Sequence, residues 1–225
     1  MKSGVRARLH ELVVERPLQV LVVAAVIGAT AAAAAPLAGA PILKASLARG
    51  AAGPAASEPT ITKLVWEGAD LDGDGVADFA NPTGHAPRGH DAYGDGEFGA
   101  SRDGGARRHE GVDYAARAGQ LVRAPISGFV TKIGFAYPGD TTLKFVEITN
   151  PALKVAARVF YVDPKVEEGA AVLMGRPIGV AHSLQRKYPA GMTDHVHLEL
   201  IDRRGAHFDA ERVLVAKVET VEMGD

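Results

Sequence analysis

Asp194-His195-Val196-His197-Leu198-Glu199-Leu200 alternates polar and apolar side chains without a break. In a strand, successive side chains point to opposite faces. Val196, Leu198 and Leu200 are therefore predicted to pack inward, while His195, His197 and Glu199 share the other face. Two imidazoles at i and i+2 on one face reach one metal ion, or one metal ion and its bound water. Other short runs of β type occur along the chain, at 62–66, 128–135, 143–149, 156–162, 195–201 and 212–221, with glycines between them. No helix-length amphipathic stretch interrupts the runs. The predicted fold class is mainly β, built of antiparallel sheets and preceded by an N-terminal apolar helix.

The metal reading is sharpened by composition. None of the 225 residues is cysteine, which removes disulfides, thiolate-ligated zinc, iron–sulfur clusters and thiol nucleophiles together. Any metal site must be made of His, Asp and Glu. A second cluster of these types is His109-Glu110-Gly111-Val112-Asp113. Its spacing of four puts His109 and Asp113 on one face of an extended segment, and Gly111 between them leaves that face open to a metal. One carboxylate with imidazoles is a borderline-soft N/O set that suits zinc, and three protein ligands with an open fourth position is the catalytic arrangement. A formal net charge of −2 gives no basis for nucleic acid or an anionic membrane surface as partner.

The N-terminus has its own character. Residues 1–17 carry Lys2, Arg6, Arg8 and Arg16 against Glu11 and Glu15, residues 18–35 are uncharged, and Pro36 ends any helix. At about 1.5 Å per residue that run reaches roughly 27 Å, and the uncharged continuation to Leu43 completes a hydrocarbon core of about 30 Å. A retained signal anchor and a cleaved signal peptide are the two readings. The glutamates in the leading segment and the prolines after Ala35 and Ala40 favour the anchor. The basic excess before the span predicts the N-terminus inside. The rest of the chain is then periplasmic or otherwise extracytoplasmic, held at the inner membrane by residues 18–43, or secreted after cleavage. The expected organisation is 1–43 cytoplasmic N-terminus and signal segment, 44–60 an Ala/Gly/Pro/Ser-rich linker, 61–95 an acidic region, and 96–225 the β domain.

In the acidic region, residues 70–78 read Asp-Leu-Asp-Gly-Asp-Gly-Val-Ala-Asp. Four carboxylates so close repel one another unless a cation or solvent relieves them. In an EF-hand-type loop Asp70, Asp72 and Asp74 take positions 1, 3 and 5, Gly75 the turn, Val76 a carbonyl ligand and Asp78 position 9. Position 12 is Asn81 instead of a bidentate Glu, and no helices flank the loop. A bound Ca2+ and a solvated Asp/Gly-rich turn are the alternatives. Residues 85–91, with His85, Arg88, His90 and Asp91, are read as a surface loop; the alternative is a border of the cleft at which His90 or Asp91 touches metal or substrate.

From about Gly96 to Asp202, half of the chain, the sequence resembles the LytM/lysostaphin-type peptidases, family M23. Phe98-Gly99 followed by Arg102 matches the FG-x-R entry, with one extra residue. His109 to Asp113 within HEGVDYA matches H-x-G-x-D. Gly119, Val122, Ala124, Gly128 and Val130 match the G-x-x-V-x-A-x-x-G-x-V hairpin. Gly169, Val172, Gly175, Ile178 and Gly179 match G-x-x-V-x-x-G-x-x-IG, and His195-Val196-His197-Leu198-Glu199 matches H-x-H-x-E. The resemblance implies a LytM-like, duplicated-hybrid-motif β fold with a groove, and a zinc ion held by His109, Asp113 and His197. His195 would face the bound water as general base or oxyanion stabiliser, and Arg102 would lie near the substrate. The family's further histidine, in a Y-x-H-L strand, has no counterpart in Phe160-Tyr161-Val162-Asp163-Pro164. Asp163 falls at that place, or Val162 with a shift of one. His182, in the 179–188 loop, is either a stand-in imidazole or a solvated loop residue.

These features predict a zinc metalloendopeptidase that hydrolyses peptide bonds of bacterial peptidoglycan. The missing histidine motivates an alternative: a catalytically weak domain of the same fold that binds cell wall or partner proteins and regulates another hydrolase. A third reading, a calcium-stabilised module with an incidental H-x-H, predicts no zinc.

Overall fold

The computed structural model describes residues 60–222. The expected apolar helix, signal segment and linker, up to residue 59, lie outside the described residues. Among the described residues no helix is long and apolar enough to cross a membrane.

The regular structure of the described residues is β, with two short 3₁₀ turns at Asp103–Gly105 and Ala210–Arg212. The strands are β1 Thr60–Gly68, β2 Ser101–Arg102, β3 Arg107–Arg108, β4 Val112–Ala115, β5 Leu121–Arg123, β6 Gly128–Tyr137 and β7 Asp140–Asn150. They continue with β8 Val155–Phe160, β9 Val162–Pro164, β10 Ala171–Val172, β11 Pro177–Ala181, β12 His195–Ile201, β13 His207–Phe208 and β14 Leu214–Glu222. Every pairing is antiparallel. The largest sheet has the order β10-β6-β7-β8-β12-β13, with β4 also paired to β12, and a second sheet has the order β5-β11-β9. The long β6–β7 hairpin turns at Pro138-Gly139, where proline presets φ and Gly139, at φ +77, takes the left-handed position that such a turn requires.

The alternation read in 194–200 holds. Val196, Leu198 and Leu200 are fully buried and join Val112, Tyr114, Ile148 and Val159 in the core. The opposite face is not solvated, because His195 and Glu199 are buried as well. At about 25 cal/mol per Å² of apolar surface, each buried core leucine or valine contributes roughly 1.5–3 kcal/mol, which is what pins β12 in one register.

The C-terminal strand does not join the main sheet. β14 pairs with β1, from Thr60↔Glu222 to Gly68↔Leu214, because the edge of β12 is already taken by β4 and β13. That strand also starts later than predicted, since Ala210–Arg212 is a 3₁₀ turn in which the Asp209 side chain accepts from Glu211 N. The run 156–162 is broken at Tyr161, where φ is +64, and β9 departs into the second sheet. Residues 69–95, although poor in strand, are bonded into the same body: Phe79 is buried in the core, and Ala80 N donates to Pro125 O at 2.9 Å.

Candidate metal centre

β12 and β4 bring the two histidine clusters together. Their register sets His197 opposite Asp113 and His195 opposite Ala115. His109, just before β4, places Nε2 2.9 Å from His197 Nδ1 and 3.1 Å from Asp113 Oδ1. His197 Nδ1 lies 2.8 Å from the same carboxylate oxygen. Tetrahedral zinc with bonds of about 2.0–2.2 Å spaces its ligand atoms by roughly 3.4 Å, so this triangle is only a few tenths of an ångström tight. The donor set fits zinc. Gly111 is part of the cradle: a Cβ there would meet Leu198 O at 2.4 Å and His197 Cε1 at 2.7 Å.

The far nitrogen of each imidazole orients the ring. His109 Nδ1–H donates to Glu97 O at 2.7 Å, His195 Nδ1–H to Thr193 O at 2.6 Å, and His197 Nε2–H to Glu199 Oε1 at 3.3 Å. The inner nitrogens His109 Nε2, His197 Nδ1 and His195 Nε2 thereby face Asp113 Oδ1, from which His195 Nε2 stands 3.5 Å. The other carboxylate oxygen is occupied. Arg88 reaches Asp113 Oδ2 through Nη2 at 2.8 Å and Nε at 3.1 Å, and Arg102 Nη2 lies 3.5 Å away.

Charge follows from this geometry. Burial would raise the Asp113 carboxyl, but hydrogen bonds from His109 and His197 outweigh it and hold Asp113 well below the usual carboxylate range. Burial would lower His197, yet the Asp113 and Glu199 carboxylates more than reverse it and push the imidazole up to about 9. Burial dominates at His195, which is held below its ordinary value and is neutral at pH 7.

The centre opens into a cleft of about 570 Å³, within the usual range of ligand sites. Arginines 88, 102 and 107 line it, as do Tyr137, Tyr161 and Tyr188. Arg102 Nη2 donates to Asp95 O at 2.6 Å. Two suggested stand-ins for the missing histidine are not in the cleft. The Asp163 carboxylate and His182 Nδ1 bond each other at 2.9 Å, because β9 has left the main sheet; Tyr161, two residues earlier, is what reaches the cleft. In the 85–91 loop, His90 is exposed beside Asp95, whereas Asp91 accepts from Thr193 N at 2.9 Å and pairs with Arg88 at 2.9 Å. In the acidic loop, Asp70, Asp72 and Asp78 bring carboxylate oxygens within 4.8 Å of one another, and Asp74 is not in that group. Backbone amides already occupy these carboxylates: Gly73 N and Gly75 N donate to Asp70, and Leu71 N to Asp78.

Sequence reasoning missed Arg88 and the tyrosines. No local pattern marks an arginine in a Gly/His/Pro loop for burial, and Tyr161 carried no signal beyond its place in the altered Y-x-H-L stretch.

Residues 107–210 match the family model described as Peptidase family M23. Myeloid protein 1 of Gallus gallus is 32% identical over 134 residues, 59% of this chain and 40% of that protein; the chain thus spans under half the length of this curated relative. The catalytic domain of the antimicrobial peptidase lysostaphin from Staphylococcus simulans aligns at 20% identity over 52% of this chain and 86% of that chain, with a TM-score of 0.41. A zinc-containing peptidase from Vibrio cholerae aligns at 23% identity over 60% of this chain and 35% of that chain, with a TM-score of 0.38. His109, Asp113, His195 and His197 all lie inside the segment 107–210 that matches the Peptidase family M23 model.

Proposed function

We propose that the domain is a zinc metalloendopeptidase acting on the peptides of bacterial peptidoglycan. The observation that carries this reading is the convergence of His109 Nε2, His197 Nδ1 and Asp113 Oδ1, with neutral His195 beside them in an open cleft. Zinc bound there supplies Lewis acidity and lowers the pKa of a bound water to about 7. The chain's own residues do the rest. Arg88 occupies one oxygen of Asp113, so the other is committed to the metal. His195 Nε2 accepts a proton from the attacking water and returns it to the amine nitrogen as the C–N bond breaks. Arg102 keeps positive charge at the cleft, where it attracts carboxylates of the substrate.

A second reading has one observation in its favour: His182 is turned to Asp163 and leaves the cleft without the family's further imidazole. On that reading the domain binds cell wall or a partner and regulates another hydrolase. The zinc-loaded full chain is incubated with purified peptidoglycan sacculi beside His197→Ala, and released peptides are identified by mass spectrometry. Cleavage by the wild type alone supports the peptidase. Silence from a folded, zinc-bound protein turns the reading to regulation. The acidic loop is carried as a calcium site of the same domain, supported by the convergence of Asp70, Asp72 and Asp78.

A further inference from the structure

The cleft wall that lacks the family's imidazole is built of phenols. β8 ends at Phe160, and Tyr161 turns with φ +64, a region that bulky side chains seldom adopt. The turn is held on both sides, because Tyr161 N donates to Lys144 O at 2.7 Å and Tyr161 O accepts from His182 N at 2.8 Å. It brings the Tyr161 ring edge-on to His195, with centroids 5.3 Å apart and planes at 85°, in the cleft shared with His109, Asp113 and His197.

The three hydroxyls form a chain with a direction. Tyr188 Oη donates to Tyr137 Oη at 3.0 Å, and Tyr137 Oη lies 2.6 Å from Tyr161 Oη. Each phenol has one proton. Tyr137, receiving from Tyr188, spends its own on Tyr161, and the Tyr161 proton is left for an acceptor in the cleft. Donors linked in this way polarise one another and strengthen the last member. Lys187 steadies the chain, with Nζ 4.2 Å from the centre of the Tyr137 ring and bonded to Asp140.

We propose that Tyr161 is a catalytic hydrogen-bond donor, whose phenol donates to the carbonyl oxygen of the scissile amide as negative charge develops on it. Tyr137 and Tyr188 are positioning residues. The proposal rests on the peptidase reading above and deepens it. A neutral phenol supplies the electrostatic part of a missing imidazole's role, and proton transfer stays with His195.

The test uses the zinc-loaded full chain, Tyr161→Phe and Tyr137→Phe. One readout is kcat and KM on dimeric muropeptides. The other is affinity for a phosphinic pseudodipeptide of D-alanine, whose tetrahedral oxygens mimic the oxyanion, beside the reduced-amide analogue that lacks them. Tyr161→Phe is expected to lower kcat by about 10²-fold with KM within about twofold, and to weaken phosphinate binding by about 10²-fold. Zinc content and reduced-amide affinity stay at wild-type values, and Tyr137→Phe gives a smaller loss of the same pattern. Equal phosphinate affinity in wild type and Tyr161→Phe, or no phosphinate binding by the wild type, overturns the proposal. Parallel loss of zinc or of reduced-amide affinity also overturns it, because it marks a structural role. A wild type that cleaves nothing, yet loses phosphinate affinity on Tyr161→Phe, defeats the peptidase reading and leaves the donor assignment standing.

Discussion

Replacing Arg88 with methionine removes the guanidinium from Asp113 and leaves an apolar side chain of similar length. Both side chains are almost wholly buried, 2% and 3% exposed. Arg88 places two nitrogens on Asp113 Oδ2, at 2.8 and 3.1 Å, and its Nη1 holds Asp91 at 2.9 Å and Gly94 O at 2.7 Å. Removing one partner of a buried ion pair costs about 3–5 kcal/mol. The imidazoles facing Oδ1 keep part of the compensation, so a loss of about 3 kcal/mol is expected. At roughly 2–4 °C per kcal/mol for a chain of this size, Tm should fall by about 6–12 °C. The carboxylate is also free to rotate once Oδ2 is released, and zinc affinity should drop by about 10–100-fold. Thermal unfolding of the full chain and zinc competition against a chromophoric chelator measure the two effects. Arg88→Lys keeps the charge without the planar fork and should fall between. An Arg88→Met protein with wild-type Tm and zinc affinity would show that the imidazoles alone orient Asp113, and would refute the reasoning.

Zinc and a proton compete for His197. Its folded value of about 9 stands above an unfolded value of about 6.5, so its protonation stabilises the metal-free fold fully below about pH 6.5 and is lost as pH rises through about 9. Zinc affinity should therefore climb with pH across that window, and calorimetry in buffers of different ionisation enthalpy should find about one proton released per zinc from His197 at pH 7, beside the fraction lost by the bound water, with the His197 share falling away above about pH 9. An affinity flat between pH 6.5 and 9 contradicts this. Calcium at about 1 mM, acting on a site with Kd near 10⁻⁴ M, is expected to stabilise the full chain by about 1.4 kcal/mol, and Asp72→Asn to abolish the gain. A Tm indifferent to calcium identifies residues 70–78 as a solvated turn.

Much of the centre was legible because it depends on local chemistry. The absence of cysteine restricted ligands to His, Asp and Glu, whereas the glycine in His109-Glu110-Gly111-Val112-Asp113, read as leaving a face open to metal, instead makes room for β12, with Leu198 O and the His197 ring against it. Asp163 falls at the place of the missing histidine, and His182, in the 179–188 loop, was read either as a stand-in imidazole or as a solvated residue. They pair with each other instead, since β9 bonds to β11 in the second sheet while the cleft belongs to β12. Arg88 was read as a loop residue, and its burial arises only when Arg88 N donates to Asp113 O at 2.8 Å and folds the loop over β4.

By itself the sequence determined the class of the fold, the two faces of β12 and the residue types able to hold a metal. Each of these follows from the period-two pleat or from side-chain chemistry, which a few neighbouring residues specify. Only the tertiary structure decided that His197 sits opposite Asp113, that β14 joins β1, and that Tyr161 rather than Asp163 enters the cleft. Register between distant strands and the course of a turn are set by which pairing buries the most apolar surface and satisfies the most backbone groups at once, and that balance is a property of the whole packed domain.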